Sequence, residues 1–289
     1  MKKKILQHFI LILCLGLVTL TGCSTDNQSS NKQAENITYA NLTDKATQEE
    51  IVSILNIYGI PKAQTDTLID WADDFNQRVA SPKLPEGFVS MEGNYVDYTS
   101  VILNPKAEQN DTLSYDPEAN CRLTAFMLLK NFIQTNQTKD ETDTYLVFDV
   151  ERIDQTEQFK LKEKERNNYY ALYNWIPVTQ KDSLAQHIEK IQQAWKDRNI
   201  TLDTPDGVSM ITVYLHSSFD QVRFPGHVGV LVETDDGLLF VEKYGDVQPF
   251  QVTKFQNRDQ LKKYLLARPD LYGDETELEP ILMENGQVM

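Results

Sequence analysis

The sequence predicts an α+β fold in which helices come first and an antiparallel sheet follows. Three patterns point there. Apolar residues recur at helical spacing in "TQEEIVSILNIYG" and "KAQTDTLIDWADDFNQRVA", between residues 47 and 80. Strand-like runs then follow one another directly from Met210 to Phe255. One adjoining pair, "HVGVLVETDDGLLFVEKYG", has alternating valines, a "DDG" turn and a second apolar arm, the pattern of a β-hairpin.

Taken in chain order, the first helix opens at a capping-box-like Thr47–Glu50 and stops at Gly59. Pro61 separates it from a second helix whose Leu68, Trp71, Ala72 and Phe75 share a face. The two read as a packed pair with no chemistry of their own. Residues 81–115 are loop-rich, with Pro82, Pro85, Gly87, Gly93 and Pro105. A helix begins near Cys121. "YLVFDV", Tyr145–Val150, reads as a strand. "KDSLAQHIEKIQQAWKDR" is an amphipathic helix with Leu184, Ile188, Ile191 and Trp195 on one side. "MITVYLHSSF" and "FQVTKF" flank the hairpin as strands, and "NRDQLKKYLLARP" is a last helix stopped near Pro269.

The ends bound the location. "MKKKILQHFILILCLGLVTLTGC" has three lysines, a short apolar run and then "LTGC". The first two are the charged and apolar regions of a secretory signal, and the run is short for a membrane span. "LTGC" resembles a bacterial lipobox, which implies lipid on Cys23 and anchoring at the outer face of the cytoplasmic membrane. The expected organisation is a signal over 1–22, a polar tether over 23–38 and one globular domain over 39–289. Within it, 39–100 forms a helical portion and 101–289 a core.

Charge excludes a function class. The chain carries a formal −15, and loss of Lys2, Lys3 and Lys4 makes the exported part three units more negative. Such a surface repels nucleic acid and anionic headgroups, so attachment should rest on lipid alone. No zinc-site spacing, P-loop or dinucleotide fingerprint occurs, and no cofactor or metal is implied.

Of three cysteines, Cys14 leaves with the signal and Cys23 carries lipid, so Cys121 is left without a disulfide partner. "DPEANCRLTAF" places Asp116, Pro117, Glu118 and Asn120 just before it, all favoured at helix starts. Cys121 is then at the first or second helical position, where free N–H groups and the helix dipole favour thiolate. A free cysteine is also commonly a small buried hydrophobe. Among the histidines, His8 goes with the signal, His187 lies on a surface-looking helix, and His216 ends a strand. His227 opens the "HVGVLVE" strand, where it can serve a thiol as base and acid.

"ANCRLTAF" followed by "GHVGVLVETDDGLLFVEKYG" resembles the NlpC-type branch of the papain-like cysteine hydrolases. That resemblance implies a papain-like core: a cysteine-bearing helix packed on an antiparallel sheet. The chain beyond the tether also resembles a group of Gram-positive lipoproteins catalogued as a domain of unknown function. NlpC-type enzymes place a His, Asn or Gln on the strand after the histidine strand; here the nearest residue is Glu242. A two-residue hairpin loop, at Asp235-Asp236 or Asp236-Gly237, puts His227, Gly229 and Leu231 on one face with Glu242 and Tyr244. Val228, Val230, Val232, Leu239 and Val241 then form the other. A three-residue turn brings Lys243 to Glu242's place instead.

The expected catalytic set is therefore Cys121 as nucleophile, His227 as base and acid, and Glu242 as its orienter. Asn120 or Tyr115 could add an oxyanion donor to the Cys121 N–H. The function expected is a thiol hydrolase or transferase acting on an amide or ester bond of envelope or cell-wall peptides. The alternative is a non-catalytic surface binding module on the same fold.

Overall fold

The computed structural model describes residues 37–106, 113, 115–136, 145–271 and 276–289. The expected signal, Cys23 and the expected tether up to residue 36 lie outside the described residues. Strand β1 (Thr38–Ala40) leads into helices α1 (Lys45–Ile57) and α2 (Lys62–Arg78), then short strands β2 (Val79–Ser81), β3 (Val89–Ser90) and β4 (Ile102–Leu103). Helix α3 (Cys121–Leu129), β5 (Ile133–Gln134), α4 (Val147–Gln155), α5 (Glu163–Tyr173), β6 (Ile176–Pro177), α6 (Leu184–Asp197) and β7 (Thr201–Leu202) follow. The long strands β8 (Val208–Ser217), β9 (Val222–Thr234), β10 (Gly237–Lys243) and β11 (Phe250–Phe255) come next. The described chain ends with α7 (Arg258–Ala267), β12 (Ile281–Glu284) and β13 (Gln287–Val288).

The main sheet runs β13-β12-β8-β9-β10-β11-β1-β3, with β6 pairing to β9. Its pairings are antiparallel. Both of its faces are covered. Val228, Val230, Val232, Leu239 and Val241 pack in one core with Leu68, Phe75, Leu123 and Phe126 of α2 and α3. Leu231, Phe240 and Tyr244 pack on the reverse face with Leu261, Tyr264 and Leu265 of α7. Burial on two sides is why β8, "VSMITVYLHS", reads as a nearly continuous apolar run and not as an alternation.

The hairpin of β9 and β10 turns on two residues, Asp235-Asp236: Thr234 pairs with Gly237, and Gly229 with Glu242. Two neighbouring features shape the strand that carries His227. A Cβ on Gly229 would lie 2.2 Å from the Phe240 ring, so only glycine lets that ring cross the strand. Farther back, β8 pairs Val213 with His227 but Tyr214 with Pro225. Gly226 is thus an extra residue, a bulge immediately before the histidine.

Four readings need correction. Tyr145–Val150 is not a strand; from Val147 it is α4, because Leu146, Val150 and Ile153 recur at helical spacing beyond the short apolar run. The first helix is capped by Asp44, whose side chain accepts from the Thr47 N–H, and not by Thr47 itself. The first portion is not purely helical, since β1 and β3 join the main sheet and α1 and α2 share its core. His187 is fully buried, not on the surface: its edge of α6 faces Arg223 of β9.

Candidate active site

Asn120 sets the start of α3. Its Oδ1 accepts from the Leu123 N–H at 2.8 Å, the bond of an N-cap, which places Cys121 at the first helical position. There the Cys121 N–H has no acceptor within the helix. The Asn120 amide nitrogen donates to Asp149 of α4. Asp149 is fully buried and also accepts from Arg122 Nε at 2.6 Å and Tyr169 OH at 2.7 Å. Arg122 in turn donates to the Pro225 carbonyl at 3.0 Å, tying the helix start to the strand before the bulge. Asn120 is thus taken up in holding α3. Tyr115 is turned to α4, its hydroxyl donating to Glu151 at 3.3 Å.

The thiol meets β9 at the bulge. Cys121 Sγ lies 3.9 Å from the Gly226 carbonyl oxygen, and the nearby His227 imidazole and Val228 N–H favour its thiolate. Helix α3 packs on the valine face, whereas Glu242 faces α7, and both the thiol and the carboxylate act on the His227 imidazole. His227 Nε2 lies 2.6 Å from Glu242 Oε2. A carboxylate oxygen at that distance requires a proton on Nε2, which leaves Nδ1 as the basic nitrogen for the thiol.

Two residues of α7 and its C-cap, absent from the sequence reading, complete this side. Tyr264 OH donates to Glu242 Oε1 at 2.6 Å, and Arg268 Nη1 donates to Oε2 at 2.6 Å. Arg268 also reaches Asp270 at 2.6 Å and the Tyr244 carbonyl at 2.9 Å, and its guanidinium lies 3.6 Å from the Tyr244 ring centroid. Tyr264 and Arg268 are four apart in "YLLAR", which puts them on one helix face but says nothing of the strand they meet. A strand over Tyr145–Val150 gives Asp149 no place at this site; helix α4 does.

Electrostatics follow from these partners. Burial alone would raise the Cys121 thiol, but the His227 hydrogen bond and charge, then Arg122 and the Val228 N–H, bring it below its ordinary value. Burial and Arg268 oppose a charge on His227; the thiol and Glu242 outweigh them, and the imidazole is raised. Burial would raise Glu242, yet Arg268, His227 and Tyr264 together hold it below the ordinary carboxylate range. All three shifts favour a thiolate–imidazolium pair, which titrates as a unit. The site is nearly closed: Cys121 is 8% exposed and His227 2%.

The remaining described histidines stand elsewhere. Arg223 donates to His187 Nδ1 at 3.0 Å, and His216 Nδ1 lies 2.5 Å from Glu277. Lys243 points to the face opposite Glu242, under α2, with its amine 3.7 Å from the Phe75 ring centroid. Among the described residues no group of three His, Cys, Asp or Glu side chains is placed to hold a metal ion, and no helix is long and apolar enough to cross a membrane.

Neither the curated proteins nor the solved structures contain a match to this chain. Residues 38–289 match, over nearly all of the described residues, a family defined as a domain of unknown function, DUF4300, and the chain belongs to that family.

Proposed function

We propose that this protein is a lipid-anchored, extracytoplasmic thiol hydrolase or transferase with a papain-like, NlpC-type core. Its substrate would be an amide or ester bond in envelope peptides. The observation that carries this reading is the 2.6 Å contact of Glu242 with His227 Nε2, which leaves Nδ1 for a thiol at a helix N-terminus. In the proposed reaction, Nδ1 takes the Cys121 proton and the thiolate attacks the carbonyl carbon. The tetrahedral oxyanion meets the Cys121 N–H, and the imidazolium then protonates the leaving group. Water, or an acceptor amine or alcohol, gives its proton to His227 as it attacks the thioester, and the thiol is released. Glu242 stays ionised throughout, held so by Arg268 and Tyr264, and stabilises the imidazolium.

The test is alkylation of the full chain by a small iodoacetamide probe across pH. Labelling of Cys121 should persist about two units below the ordinary thiol value of roughly 8.5. Cys121→Ser should abolish it, and His227→Ala should move the profile to higher pH. A thiol inert until the protein is unfolded would sink the catalytic reading. The anchoring part is tested separately, since Cys23→Ala should remove lipid from the mature N-terminus seen by mass spectrometry. The near-closure of Cys121 and His227 favours the second reading, a surface binding module that retains the fold. An inert thiol on a properly folded chain would select it.

A further inference from the structure

The second face of α3, turned away from the thiol, lines a groove that this reading does not use. Leu123, Met127 and Lys130 lie along it at helical spacing, whereas Cys121 touches β9 on the other side. Trp71 of α2 and Phe159 close the groove, packed edge to face with ring centroids 5.1 Å apart. Its volume is ≈ 380 Å³, within the range of small-ligand sites.

Two observations give the groove a chemistry. Gln64 lines it, is 4% exposed, and has an amide nitrogen with no hydrogen-bond partner among the described residues. Its carbonyl is the end engaged, by Asn131 Nδ2 at 3.5 Å. A buried N–H left without an acceptor is costly, and a ligand oxygen would satisfy it. The lining also carries Lys130, Lys160 and Lys162 against a single carboxylate, Glu165, on a chain of formal charge −15. Lys130 pairs with Glu165 at 3.2 Å and Lys160 with Glu157 at 3.3 Å. Among the described residues no ion pair engages the exposed Lys162.

We propose that this groove is a binding site for a carboxylate that carries an apolar side chain, in chemical terms the C-terminal residue of a peptide. The side chain rests on Trp71, Met127 and Phe159. One oxygen accepts from Gln64, and the charge is met by Lys162. Among the described residues no arginine lines the groove, so the bidentate fork that favours phosphate is lacking there, and single ammonium and amide donors suit a carboxylate.

The experiment titrates the full chain with N-acetyl-leucine and, separately, with N-acetyl-leucinamide, by calorimetry or by NMR shifts of groove residues. The acid should saturate in the millimolar range or tighter, and the amide should bind at least about tenfold more weakly. Lys162→Glu, on an exposed side chain, should weaken the acid about fivefold and leave the amide unchanged. Gln64→Leu should weaken both. Cys121→Ala should leave both affinities as they were, which separates this site from the thiol whatever the thiol does. Equal binding of acid and amide, no saturation by about 10 mM, or indifference to Lys162→Glu would each overturn the proposal. So would displacement of the acid by equimolar inorganic phosphate.

Discussion

Two buried carboxylates flank Cys121 and are built alike. Asp149, on the α4 side, is met by Arg122 and Tyr169; Glu242, on the α7 side, is met by Arg268 and Tyr264. Both are fully buried, and each is met by a guanidinium and a phenol as a buried charge requires, with Arg152 a second, more distant guanidinium 3.7 Å from Asp149. They differ in their third hydrogen-bond partner. Asp149 takes the amide of Asn120, which cannot titrate, and so fixes where the helix begins. Glu242 takes the imidazole of His227, which can, and so biases a proton. One construction thus serves position on one side and protonation on the other. What decides the role is the residue at the end of the chain of contacts.

The largest expected effect separates the two as structural elements. Asp149→Asn should cost about 3–5 kcal/mol in urea unfolding, because it leaves the Arg122 guanidinium buried with the Pro225 carbonyl as its remaining acceptor. Glu242→Gln should cost distinctly less, since Arg268 keeps its ion pair with Asp270. Equal losses would show that the comparison is wrong about which carboxylate holds the fold.

Chemistry should rank them the other way. In Glu242→Gln the alkylation rate of Cys121 near neutral pH should fall about 10²-fold, because the imidazolium loses its counter-charge. In whatever fraction of Asp149→Asn remains folded, the rate should stay near that of the unaltered protein. A Glu242→Gln chain that alkylates normally would take this carboxylate out of the mechanism. The pH dependence sharpens the point. Glu242 is depressed in the folded state, so its contribution to stability is present above the ordinary carboxylate value and is lost as pH falls through its lower folded value. Acid unfolding curves of the unaltered chain and of Glu242→Gln should therefore converge at low pH.

Lys243 supplies the contrast of a buried amine whose hydrogen-bond partners are the Asp246 and Gln248 carbonyl oxygens and whose neighbours are the Phe75 and Phe250 rings. Burial lowers its amine to about 7, while Glu118 and Asp246 oppose that shift. The unfolded lysine holds its proton to higher pH than the folded one, so the chain should gain stability between about pH 7 and pH 10, by a few kcal/mol. Lys243→Met should flatten that rise, as read by urea midpoints at a series of pH values. The smallest effect is expected from Tyr264→Phe. It removes one hydrogen bond to Glu242 and one accepted from Gln251, and should cost about 1–2 kcal/mol with little change in alkylation rate.

The hairpin shows how far sequence reasoning reached. Valines at 228, 230 and 232 fixed the core face, and a two-residue loop then forced Glu242 onto the face of His227. That inference needs only the period of a strand and the length of a turn, both local. The start of α3 was legible for the same reason, since Asn120 caps it within three residues. Tyr145–Val150 failed because six apolar-rich residues fit either period, and only the packing of Leu146, Val150 and Ile153 chose the helix.

By itself the sequence determined the order of elements, the two faces of the β9–β10 ribbon and the placing of Cys121 at a helix start. These follow from side-chain periodicity and from capping, which act over a few residues. Tertiary structure alone decided that Arg268 and Asp149 stand beside the candidate site. Arg268 is 41 residues from His227, and Arg122 meets Pro225 across 103. It also decided that Gly226 bulges to bring its carbonyl to the thiol. A buried charge finds its partner wherever packing closes off water, and that closure is set by how the sheet is covered on both sides. No local pattern records it.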